Sequence, residues 1–140
     1  MIGCLPMSHQ IRLRGPWKYE GTHDGVVFQG TIRLPASFLE VVPKPDAESL
    51  TLIRWFGKPT GLEATTQLTL VVTGDLQPKV VCLNTVELSD RQPKTSTETR
   101  WSMTGRLEPR NELRLEFAPT TQEADSTSVT FPEIALEIVE

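Results

Sequence analysis

Cysteine, histidine and long apolar runs are all scarce in this chain, and each scarcity removes a class of function. Two histidines, His9 and His23, leave little material for a hydrolytic triad, which needs an imidazole held by a carboxylate and facing a nucleophile. There is no G-x-S-x-G, no Walker loop and no H-E-x-x-H. Cys4 and Cys82, the only cysteines, do not combine with the histidines at zinc-ligand spacing, and read as a terminal free thiol and a small buried side chain. No apolar run approaches the roughly 18 residues of a membrane span. Met1 to Met7 lacks the charged start and sustained apolar core of a signal peptide, and Pro6 interrupts it. A cytoplasmic setting is expected. The net charge is −4 with both signs spread along the chain, so the basic footprint of a nucleic-acid binder is missing.

What remains is a chain of 140 residues, 38% of them hydrophobic, long enough to bury one core without disulfides or metal. Its dominant signal is alternation with period two, broken by glycine and proline. Ile11 and Leu13 alternate with arginines before Gly15-Pro16. Trp17 to Glu20 and Val26 to Leu34 follow, separated by a turn at His23-Asp24-Gly25. Pro35 to Glu40 reads as one helical turn and Pro43 to Asp46 as a rigid loop.

Ser49 to Phe56 is apolar on both faces, with Leu50, Leu52, Arg54 and Phe56 on one and Thr51, Ile53 and Trp55 on the other. Such a strand is covered on both sides, or one of its faces holds a site. Gln67 to Thr73 is the cleanest alternating strand, and Lys79 to Asn84, Val86 to Leu88 and Thr99 to Thr104 are further candidates. Ser89 to Thr97 and Gln122 to Ser128 read as polar loops. Asn111 to Phe117 contains good helix formers, yet Leu113, Leu115 and Phe117 repeat at spacing two, which favours a strand. Ile134 to Val139 closes the chain. Roughly eight to ten strands without intervening helices predict an all-β, antiparallel jelly-roll sandwich. Residues 1–9 are expected to form a disordered leader and residues 10–140 a single domain.

The order of these segments resembles the sugar-binding domain of family 2 glycoside hydrolases. Leu13-Arg14-Gly15-Pro16-Trp17 resembles that domain's opening, and Ile32 to Phe38 its "LP…W" segment with phenylalanine in place of tryptophan. Leu52-Ile53-Arg54-Trp55-Phe56 with Pro59 looks like "YRR-x-F-x-x-P". Val80 to Asn84 with Leu88 looks like "V-x-L-N-G-x-x-L", and Leu107 with Arg110 to Leu113 like "L-x-x-G-x-N-x-L". The resemblance spans most of residues 11–118 and implies a galactose-binding-domain-like jelly roll. Two departures stand out. Asn84-Thr85 replaces Asn-Gly, which disfavours a tight two-residue hairpin. Ser89 to Thr97 lacks the glycine, histidine and tyrosine of the family's "H-x-G-G-Y" loop. The catalytic barrel that carries the family's acid and nucleophile has no counterpart here, so no enzymatic activity, catalytic residue or cofactor is expected.

Sugar recognition asks for an exposed aromatic face flanked by polar side chains. Trp17, Tyr19, Trp55 and Trp101 are the aromatic candidates, and packing in the core or on a sheet face is the plain alternative for each. The expected ligand-binding set is Trp101, Arg100, Trp55, Arg54 and Arg33. Trp101 is the foremost candidate for exposure because Thr99, Arg100 and Ser102 surround it. Asp24, Asp46, Asp75 and Asp90 lie in turns but form no dense calcium-binding pattern, so no metal is expected. The expected partner is a glycan or a protein, with a homodimer among the protein options, and no nucleic acid or membrane. The resulting expectation is a non-catalytic binding or interaction module, the alternative being a protein-association or accessory subunit of a hydrolase complex.

Overall fold

Alternation along the chain becomes two layers with a common apolar interior. The computed structural model describes residues 8–23, 25–34, 36, 49–59, 61–62, 65–117 and 131–139. The strands are β1 (Ser8–Arg12), β2 (Trp17–His23), β3 (Val26–Ile32), β4 (Ser49–Gly57), β5 (Gln67–Thr73) and β6 (Val80–Leu83). They continue with β7 (Val86–Glu87), β8 (Gln92–Pro93), β9 (Glu98–Ser102), β10 (Arg110–Phe117) and β11 (Glu133–Val139). One sheet has five strands in the order β1-β11-β5-β9-β8, the other six in the order β3-β2-β4-β10-β6-β7, and every pairing is antiparallel. This is the expected all-β sandwich.

Three sequence expectations change. The loop expected over Ser89 to Thr97 carries the two-residue strand β8, which pairs with β9. The leader boundary at residue 9 falls inside β1, where Ser8 and His9 pair with Val139 and Ile138 in the ladder that Ile11 and Arg12 continue. Residues 1–7, the proposed helical turn at 35–40, the loop at 43–46 and the polar loop at 122–128 lie wholly or mostly outside the described residues. Cys82 is half-buried rather than buried. It sits on the outer face of the six-stranded sheet while its neighbours Val81 and Leu83 point inward. Burial pushes its thiol pKa up, and the charges of Glu116 and Glu87 push it further.

The interior is built from Leu50 and Leu52 of β4, Leu113, Leu115 and Phe117 of β10, and Leu68, Leu70 and Val72 of β5. Ile134 and Leu136 of β11 close it from the far side. Removing this apolar surface from water supplies the main driving force of the fold. Trp17 is fully buried, and its indole Nε1 donates to the Leu13 carbonyl at 2.6 Å, so the one polar atom of the ring is satisfied. That bond bridges the Gly15-Pro16 break, whose peptide is cis. Beside it, β2 and β3 interlock through two reciprocal pairs: Tyr19 faces Gly30 and Phe28 faces Gly21 across the ladder. A Cβ on either glycine would collide with the opposing ring, so each aromatic lies over a backbone that only glycine leaves open.

Candidate recognition surface

Strand β4 places Trp55 on the outer face of the six-stranded sheet, the same face as Ile53. Its neighbour β2 pairs with β4 only from Thr22↔Ser49 to Lys18↔Ile53, so no β2 residue stands opposite Trp55. One flank of the indole is therefore open, and Trp55 is 54% exposed although Ile53, two residues back on the same face, is buried. On the other flank β10 supplies Glu112 directly opposite Trp55, and Arg110 one step along the same face. The Arg110 guanidinium carbon lies 5.2 Å from the indole centroid, a cation–π arrangement.

Trp55, Phe56, Gly57, Pro109 and Arg110 line an open cavity of about 350 Å³. A second cavity of about 240 Å³ lies between Lys58, Leu62, Thr66, Leu68, Met103, Gly105 and Leu107. The backbone bond from Lys58 N to the Pro109 carbonyl, 3.1 Å, ties together the two segments that line both. Farther along the outer face Lys18 pairs with Glu20 at 3.0 Å, and Glu112 itself lies 3.8 Å from Arg114 on the side away from Arg110. The surface thus offers one half-exposed indole, one guanidinium packed on it and one carboxylate beside it.

The remaining expected site residues are dispersed. Trp101 is 2% exposed, which overturns the expectation that it is a surface tryptophan. Thr99, Trp101 and Met103 are buried, whereas Glu98, Arg100 and Ser102 project outward. Polarity of sequence neighbours does not expose a strand residue, because neighbours belong to the opposite face. Arg91 covers the Trp101 ring at 5.8 Å.

Arg100 lies on the outer face of the five-stranded sheet, held between Glu98 at 2.9 Å and Glu137 at 3.0 Å, so its donors are engaged. Arg54 projects from the face of β4 opposite to Trp55. Its Nη1 reaches the Pro16 carbonyl at 3.4 Å, while its buried Nε has no partner. Burial lowers its pKa and the Arg33 charge lowers it further. Arg33 is exposed and close enough to Arg54 for its charge to be felt there. The structure therefore does not bring the five expected residues together; of them, Trp55 alone lines the cavity at this end of β4.

Arg110 and Glu112 were legible only as parts of a strand motif, since their position beside Trp55 follows from the β4–β10 register. Among the described residues no group of three histidine, cysteine or acidic side chains is placed to hold a metal ion. No helix among them is long and apolar enough to cross a membrane.

The arrangement defines a β-sandwich module with an aromatic-and-arginine surface patch. No protein-family model and no curated protein sequence matches the chain. Solved structures do. It is similar to an FMN-binding β-glucuronidase from Facaelibacterium prausnitzii L2-6 with a TM-score of 0.68 and 17% identity, over 96% of this chain and 23% of that one. An uncultured Clostridium sp. β-glucuronidase matches with a TM-score of 0.67 and 13% identity, over 94% and 29%. The Ruminococcus gnavus β-glucuronidase in complex with N1-substituted uronic isofagomine matches with a TM-score of 0.65 and 11% identity, over 94% and 30%. The chain spans under a third of the length of these enzymes, and at such identities the likeness is one of fold. The resemblance to the sugar-binding domain of family 2 glycoside hydrolases, read from the sequence motifs, is thus met by a shared sandwich.

Proposed function

We propose that the chain is a non-catalytic carbohydrate-binding module whose recognition surface is the Trp55–Arg110 shelf. The observation that carries the reading is a half-exposed indole beside an open cavity of about 350 Å³, with a guanidinium over its ring and a carboxylate on the neighbouring strand. Sugar rings present C–H faces that pack on an indole, and their hydroxyls take hydrogen bonds from arginine and give them to glutamate. The occurrence of the same sandwich within β-glucuronidases supports a carbohydrate context without naming a ligand.

Titration with neutral and acidic oligosaccharides, followed by tryptophan fluorescence and calorimetry, tests this. Saturable binding that disappears in Trp55→Ala and weakens in Arg110→Ala is expected. Binding that survives both substitutions moves the site elsewhere.

A second reading has its own support: the matched enzymes carry this sandwich as 23–30% of a longer chain. The same shelf then seats a hydrolase chain and the module acts as an accessory subunit. Saccharide-independent co-elution with such a chain, abolished by Trp55→Ala, distinguishes it.

A further inference from the structure

Among the described residues the two sheets end in four strands, and three of those edges are blunted against further pairing. β7 is two residues long and ends in Glu87. β8 is two residues long and contains Pro93. β1 carries Arg12, paired with Glu133 at 2.9 Å. Short strands, proline and charge are the usual devices that stop a sheet from adding strands. The fourth edge has none of them. β3 is seven residues long, its sequence VVFQGTI holds neither proline nor charge, and Val26 and Val27 are 67% and 65% exposed. Gln29 and Thr31 are exposed as well.

We infer that β3 is a self-association site: two copies of this chain pair β3 against β3 antiparallel about a two-fold axis, joining their six-stranded sheets into one continuous sheet. A two-fold pairing sets each segment against itself, so only an uncharged or self-neutral strand can do it without like-charge repulsion. β3 meets that condition although the chain carries a net −4. The next strand inward keeps it, since the outward Lys18 and Glu20 of β2 neutralise one another at 3.0 Å. A charged foreign strand would find no complementary charge on β3, whereas a second copy finds matching backbone groups and two exposed valines. Pairing also consumes the edge, so the assembly closes at two.

The surface is distinct from the Trp55 shelf, and the inference does not rest on that reading. Sedimentation velocity on the full chain, from about 1 µM to about 500 µM, is expected to show a monomer–dimer equilibrium. Val27→Lys and Gln29→Lys, both at exposed positions, are each expected to weaken it at least ~10-fold, an introduced charge on an edge being a strong deterrent to pairing. Val86→Lys, at the opposite edge of the same sheet, is expected to leave it unchanged. Thermal melts monitored by circular dichroism establish that each variant is folded. A wild type that stays monomeric throughout, open-ended oligomers, or dissociation by Val86→Lys as strong as by Val27→Lys would overturn the inference.

Discussion

The side-chain amide of Asn84 donates to the amide oxygen of Asn111 at 3.0 Å, joining the β6–β7 turn to the first rungs of β10. Asn84 Oδ1 in turn accepts from Glu112 N at 2.8 Å, while Asn111 exchanges two 2.8 Å bonds with the Glu108 backbone. Asn84 and Thr85 both have positive φ, 52° and 69°, so the turn is a tight two-residue hairpin despite the missing glycine. The external bonds from Asn84 hold a geometry that Thr85 by itself disfavours.

Thr85→Gly is therefore expected to stabilise the fold by up to about 1 kcal/mol, because a β-branched residue in the left-handed region is replaced by one that adopts it freely. Asn111→Ala should cost about 2–4 kcal/mol, since Asn111 is fully buried and its loss orphans the Glu108 backbone groups and the Asn84 amide. Urea unfolding of the two variants against wild type measures both.

The tryptophans should separate cleanly by stability. Trp101→Ala is expected to cost about 3–5 kcal/mol, the penalty for emptying a fully packed aromatic site. Trp55→Ala should cost roughly 1 kcal/mol or less, given its exposure and the modest worth of an exposed cation–π contact. Equal losses at both positions would mean that Trp55 serves packing rather than recognition.

Acid should weaken the outer face of the five-stranded sheet. The hydrogen bond from Arg100 holds the Glu137 carboxyl below its ordinary pKa, and a weaker bond from Gln10 acts in the same direction against burial. A depressed folded-state pKa means that the unfolded chain takes up the proton first. The pair's contribution is full above the unfolded glutamate value of about 4.3 and is lost as pH falls through the lowered folded value. In Glu137→Gln the contribution is absent at all pH, so wild type should exceed the variant near neutrality and converge on it in acid. Urea midpoints from pH 7 downward follow this.

The reciprocal glycine–aromatic pairs predict an asymmetry. A Cβ at Gly21 meets the Ser49 carbonyl of the neighbouring strand at 2.5 Å, whereas one at Gly30 meets the far end of the Tyr19 side chain. A tyrosine can swing aside and a ladder backbone cannot. Gly21→Ala should thus destabilise by more than Gly30→Ala, with a difference on the order of 1 kcal/mol or more in thermal or urea unfolding.

Much of the architecture was open to reading because alternation is a local property. Leu68, Leu70 and Val72, or Leu113, Leu115 and Phe117, carry the period of a strand within a single segment, and glycine and proline mark where each segment stops. The motif pairs around Trp17, Asn84 and Asn111 added the order of the segments. The buried state of Trp101 was also encoded in its strand, since Thr99 and Met103 share its face, but the polar residues beside it drew the opposite expectation.

Trp55 is different. Its strand is apolar on both faces, so no local pattern says which face closes over a core. The answer came from the end of the β2–β4 pairing at Lys18 and Ile53, which leaves the indole without a paired β2 residue on that flank, and from the β4–β10 register that brings Arg110 over it. Sequence by itself determined that this chain forms an antiparallel sandwich with a tryptophan-bearing apolar strand in it. Tertiary structure alone decided which tryptophan is presented and what stands beside it, because register between distant strands is set by the packing of the whole sheet.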